Sequence, residues 1–161
     1  MTEGCRTAQV ADLDTIAQLA GEAVDEQRDA RGGPMWSRRE TQPPPYRMSL
    51  EGAFYDPDQE IWVGTIDETI VGYAVCRLEV LRTGELLAVV TDLFVVEGAR
   101  EVAIGETMMD AIVSWCEERE CVGIDSLALP GNRQTKNFFE TFGFKARLLT
   151  MHRSLKGFDG A

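Results

Sequence analysis

Residues 93–105, LFVVEGAREVAIG, carry an apolar strand into a short turn and out again into an amphipathic helix. The turn holds Arg100, and small residues follow at Ala103 and Gly105. The first amides of a helix have no carbonyl of their own helix to bond, and the helix dipole puts positive charge at the same end. None of residues 100–105 is proline, so each brings a backbone N–H there. The stretch therefore reads as a cradle for a phosphate group. Its strand spans 85–96. Its helix, about 103–119, carries Ile104, Met108, Ile112 and Trp115 on one stripe.

Working outward, residues 5–10 make a short first strand, and Asp12 caps a helix with Leu13, Ile16, Ala17, Ala20, Ala23 and Val24 at three- and four-residue steps. That helix fades near Arg31, before Gly32, Gly33 and Pro34. Residues 32–47, GGPMWSRRETQPPPYR, are the least regular part. They read as a surface linker first, and second as a substrate lid carrying Trp36, Arg38, Arg39 and Tyr46. A short helix is expected over 49–55. Strands follow at 60–66 and 69–81 around an Asp67-Glu68 hairpin, and Gly84 turns the chain into an antiparallel third strand at 85–96. Beyond the cradle helix lie a buried strand (122–129), a helix (132–142) stopped by Gly143, a last strand (144–155) and a frayed tail (156–161). The strand–helix–strand crossover requires parallel pairing in the second half. The expected architecture is α/β (α+β): a mixed, mostly antiparallel sheet of six to seven strands with helices on both faces. It forms a single domain over 1–155.

A chain of 161 residues, 44% of them hydrophobic, can bury a full core. The formal net charge of −11 excludes the basic surface a nucleic-acid binder needs, and suits a small-molecule or cationic partner. No apolar run reaches the roughly eighteen residues of a membrane span. The first residues lack the basic-then-apolar order of a signal peptide, so the expectation is a cytoplasmic protein without a membrane partner. Cys5, Cys76, Cys116 and Cys121 form no zinc-like spacing, and His152 is the lone histidine, so no metal is expected. Buried free thiols are the expected state of Cys76 and Cys116. His152 reads more readily as a surface group than as a catalyst, and Met108, Met109 and Trp115 read as core.

With these elements in place the chain resembles the GNAT superfamily of acyl-CoA-dependent N-acetyltransferases. Leu93 and Val95 match the apolar strand of the family's central motif. Arg100-Glu101-Val102-Ala103-Ile104-Gly105 fills its Arg/Gln-x-x-Gly-x-Gly/Ala segment, and Asn132, Thr135, Phe139, Gly143 and Phe144 meet the second family block. The resemblance implies acetyl-CoA as co-substrate, held by Leu93, Phe94, Val95, Arg100, Glu101, Val102, Ala103, Ile104, Gly105, Glu106, Asn132 and Lys136. It implies transfer of an acetyl or short acyl group to the primary amine of a small molecule or peptide. A homodimer through the sheet edge is compatible with it.

Three departures bear on that expectation. Ala103 stands for the first motif glycine, and Glu97, Glu101 and Glu106 place carboxylates near the cradle. Phe139 stands where the family usually has the tyrosine that protonates the leaving thiolate, and phenylalanine has no proton to give. Asp92, the one carboxylate in the apolar run before the cradle, is either the base that takes the amine's proton or a structural side chain bonded to its neighbours. The alternative to a transferase is a module of the same fold that binds acyl-CoA or another ligand, as a sensor or regulator, without turnover.

Overall fold

Antiparallel pairing of successive strands builds most of the sheet in this computed structural model, which describes residues 1–158. β1 (Glu3–Thr7) pairs with β2 (Gln59–Ile66), β2 with β3 (Thr69–Val80), and β3 with β4 (Leu86–Val95). β5 (Gly123–Ser126) lies parallel to β4, giving the order β1-β2-β3-β4-β5. The parallel pair follows from the crossover through α4 (Ile104–Glu118), since a short hairpin cannot join parallel strands. Asp67 and Glu68 both take positive φ, 48° and 69°. That conformation matches the right-handed twist of the hairpin's strands.

The chain divides into two compact units, residues 1–23 with 42–126, and residues 24–41 with 127 onward. The first holds the sheet, α3 (Tyr46–Tyr55), α4 and most of α1 (Leu13–Gln27). Strand alternation sends Ile61, Val63, Tyr73 and Val75 into one core with Leu13, Ile16, Leu19, Ala20 and Leu50 of α1 and α3. The opposite face meets α4. There Trp62 packs edge-on against Trp115, ring centroids 5.6 Å apart. Gly64 and Gly72 are direct cross-strand partners on this face. A Cβ on Gly64 would collide with the Ile104 side chain, and one on Gly72 would sit 3.1 Å from Cε of Met108. Two absent side chains thus let the start of α4 lie close against the sheet.

The second unit holds the end of α1, α2 (Gly33–Arg39) and α5 (Arg133–Thr141). Phe139 is buried there, its ring 5.4 Å from that of Phe138 and 5.0 Å from that of Phe144.

The class is the expected one, with helices on both faces of a mixed sheet, but the sheet has five strands among the described residues instead of six or seven. Residues 144–155 form no strand. Leu148, Leu149 and Met151 are exposed there, so apolar residues in this run do not by themselves create a ladder. Residues 33–39, expected to be irregular, form a helix because Pro34 occupies its first turn, where no N–H is needed. The expected tail extends into 159–161, which lie outside the described residues.

Candidate functional site

β4 is interrupted where its chemistry begins. Val75 faces Asp92 across the ladder while the next residue, Cys76, faces Val90, so Thr91 is an extra residue bulged out of β4. The parallel neighbour stops at the same point: β5 pairs only with Leu87 to Val90. From Thr91 to Val95, β4 has no strand on that side among the described residues. The Val96 amide donates to Val71 O at 2.8 Å on the β3 side, so alternation turns the peptide groups of Leu93 and Val95 toward the open edge. Arg100 lies at this edge, donating from Nε to Val95 O at 2.8 Å, with its guanidinium 5.5 Å from the Phe94 ring centre.

The bulge aims Asp92 into a polar cluster on the α1 and α3 side. Tyr73 Oη donates to Asp92 Oδ2 at 2.7 Å, and Thr91 Oγ1 and Gln42 Nε2 donate to Oδ1 at 2.7 and 2.9 Å. All three partners are neutral, so no salt bridge consumes the carboxylate. Burial, then the charge of Asp92 and its hydrogen bond, then Tyr46 push the Tyr73 phenol well above its ordinary value. Tyr73 is therefore a protonated donor across the physiological range.

The segment after β4 is half paired. A single 3₁₀ turn, Glu97–Ala99, leads toward α4. The amides of Ala99, Arg100, Val102 and Ile104 donate to Val96, Glu97, Ala99 and Val102 carbonyls at 2.9, 3.3, 3.4 and 2.8 Å. Those of Glu101, Ala103, Gly105 and Glu106 have no backbone acceptor among the described residues. The expectation that all of residues 100–105 would offer donors is corrected: tight turns consume those of Arg100, Val102 and Ile104. Glu97, Glu101 and Glu106 are exposed, so their carboxylates are solvated.

In the second unit Asn132 caps α5. Its Oδ1 accepts from the Thr135 amide at 3.0 Å, and its Nδ2 donates to Gln27 Oε1 at 2.9 Å. Lys136 pairs with Glu140 one turn along, at 3.0 Å. His152 is exposed, its ring 5.9 Å from that of Phe158.

Sequence reasoning singled out Asp92 but missed Gln42 and Thr91, and it had no means to place Tyr73. A bulge has no local signature in an apolar run, and Gln42 reaches Asp92 from fifty residues away. Among the described residues no group of three or more His, Cys, Asp or Glu could hold a metal ion, and no helix is long and apolar enough to cross a membrane.

The model of the Acetyltransferase (GNAT) family matches residues 23–144. Among solved structures, a mutant of the BH1408 protein from Bacillus halodurans has a TM-score of 0.79 at 24% identity, over 95% of this chain and 99% of that one. A ribosomal-protein-alanine N-acetyltransferase from Brucella melitensis biovar Abortus 2308 has a TM-score of 0.70 at 15% identity, over 96% and 100%. AAC(6')-Iy, in complex with the bisubstrate analogue CoA-S-monomethyl-acetylneamine, has a TM-score of 0.71 at 12% identity, over 96% and 100%. At these identities the likeness is one of fold. No curated protein matches the chain.

Proposed function

The chain belongs to the acetyltransferase (GNAT) family, and on that premise we propose that it transfers an acetyl or short acyl group from coenzyme A to a primary amine. The observation that carries this reading is the juxtaposition in one unit of an open strand edge, left where β5 stops beside Val90, and a half-buried carboxylate, set by the bulge at Thr91.

The residues present fit the chemistry of coenzyme A. Its pantetheine arm bears amides, which the outward peptide groups of Leu93 and Val95 can pair in the manner of an added strand. Its pyrophosphate suits the amides of Glu101, Ala103, Gly105 and Glu106 that no backbone carbonyl takes. Arg100 supplies positive charge beside them. When bound, acetyl-CoA supplies an activated thioester.

Everything else falls to the chain. An ammonium is not a nucleophile, so the acceptor must lose a proton, and Asp92 is the group built to take it. Its neutral neighbours hold the carboxylate in place: Oδ1 accepts two hydrogen bonds, and Oδ2, which accepts only the one from Tyr73, keeps lone-pair capacity for a proton. Tyr73 fixes the orientation from beneath. The net charge of −11 favours approach of a cationic amine.

The test is thiol release from acetyl-CoA across a panel of primary amines. Release that depends on the amine, and falls by about 10²–10⁴-fold in Asp92→Asn with the fold intact, is expected. Wild-type rates in Asp92→Asn would remove the proton-acceptor role, and no release with any amine would remove the transferase. A second reading, a module that binds acyl-CoA without turnover, is favoured by Phe139, which is packed among phenyl rings and carries no proton to give. It requires acetyl-CoA to raise the melting temperature while no thiol appears.

A further inference from the structure

The end of α4 farthest from the cradle gathers three of the four cysteines. Helix α4 stops in a paired reversal: the Glu120 amide donates to Glu117 O at 3.0 Å, and the Cys121 amide donates to Cys116 O at 3.1 Å. Glu120 supplies the left-handed residue, with φ 57°. These two bonds define a Schellman ending, in which the side chain just past the reversal folds back onto the one that begins the last turn. In most proteins that contact joins two apolar residues. Here it joins Cys121 and Cys116.

The thiols differ in reach. Cys76 of β3 is fully buried, Cys116 is 2% exposed, and Cys121 is half-buried. Cys116 interacts with both of the others, and its thiol is held below its ordinary value by the Cys76 thiol first, then by Cys121 and by the Arg119 guanidinium. Burial and Cys116 raise Cys121.

We propose that Cys116 and Cys121 form a thiol pair that closes to an intrachain disulfide when it meets a low-molecular-weight disulfide. Cys121, the thiol solvent can reach, attacks one sulfur of R–S–S–R. The S–S bond breaks and one R–SH leaves, carrying the proton Cys121 gave up. Cys116 then attacks the Cys121 sulfur of the mixed disulfide, its own proton leaving with the second R–SH. Both protein sulfurs are oxidised and the small disulfide is reduced. Cys76 has no path to the oxidant and stays a thiol. The sheet ladder also fixes it opposite Val90, whereas Cys121 sits on a turn that can adjust to disulfide geometry.

The experiment treats the full chain with oxidised glutathione, quenches with acid, and counts thiols after denaturation. The count should fall from four to two, the intact mass should drop by that of two hydrogen atoms, and peptide mapping should link Cys116 to Cys121. Cys76→Ser should still form the link, and dithiothreitol should reverse it. A Cys76–Cys116 link, a glutathione adduct resting on Cys121 with no internal bond, or four unreacted thiols would each overturn the proposal. Cys121→Ser replaces one atom at a half-buried position just past α4, and should melt close to the wild type while losing the link.

Discussion

Asp92 and Asp12 are both partly buried carboxylates, yet their partners commit them differently. Asp12 accepts from Arg6 through two oxygens, at 2.7 and 3.1 Å, and from the Gln9 amide at 2.7 Å. The Arg6 bond above all holds its carboxyl below the usual carboxylate range. Its contribution is therefore complete above an unfolded pKa of about 4 and disappears as pH falls through the lower folded value. Asp12→Asn should destabilise by about 1–3 kcal/mol at neutral pH, and its loss of stability with acid should be shallower than that of the wild type, read by urea melts at several pH values. Equal slopes would show that Asp12 is not the group involved. Tyr73 makes the alkaline counterpart. Above an ordinary phenol value of about 10 the unfolded chain releases a proton that the folded one keeps, so stability falls as pH rises there. Tyr73→Phe should flatten that alkaline fall and remove about 1 kcal/mol near neutrality, through the lost bond to Asp92.

At the level of elements, Gly64 decides where α4 begins. Gly64→Ala pushes a methyl into Ile104 and should cost about 1–3 kcal/mol, seen as a lower melting temperature. An unchanged temperature would mean that the helix start is free to move. This contact also marks the limit of what the sequence can tell. The crossover from β4 to β5, the Asp67-Glu68 hairpin and the apolar stripe of α4 were legible, because period and turn chemistry are local. The bulge at Thr91 was not, because it exists only as a mismatch between two strands' registers. The missing strand over 144–155 failed for the opposite reason: its residues suit a strand, but a ladder needs a neighbour, and no window of sequence names one. The candidate site divides the same way. Asp92 stood out as a carboxylate in an apolar run, whereas Gln42 sits in a proline-rich loop that offered nothing to connect it with β4.

For the molecule as a whole, charge is the governing term. Twenty-seven acidic against sixteen basic residues leave a surface that repels itself. The exposed ion pairs, such as Arg28–Asp25 and Arg77–Glu79, offset little of this. Raising salt from about 10 to about 150 mM shortens the screening length from roughly 30 to 8 Å. The melting temperature should rise over that range, and a fall would mean that attractive pairs outweigh the repulsion. Under the proposed transfer to an amine, the same field predicts that a cationic acceptor loses apparent affinity as salt increases, so KM should climb while the stability curve improves. Turnover at saturating acceptor should hold nearly constant.

The paired glycines under α4 have a corollary for anyone altering this protein. Volume across that seam is a shared quantity: what Gly64 forgoes, Ile104 fills. Trimming Ile104 to alanine removes the Cγ2 methyl that a Cβ on Gly64 would strike and leaves a void, and adding a methyl at Gly64 should occupy part of it. The double change would then cost less than the sum of the two single ones. The beginning of α4 can thus be re-seated by trading atoms between sheet and helix, and with it the height at which Ala103, Gly105 and Glu106 stand above β4.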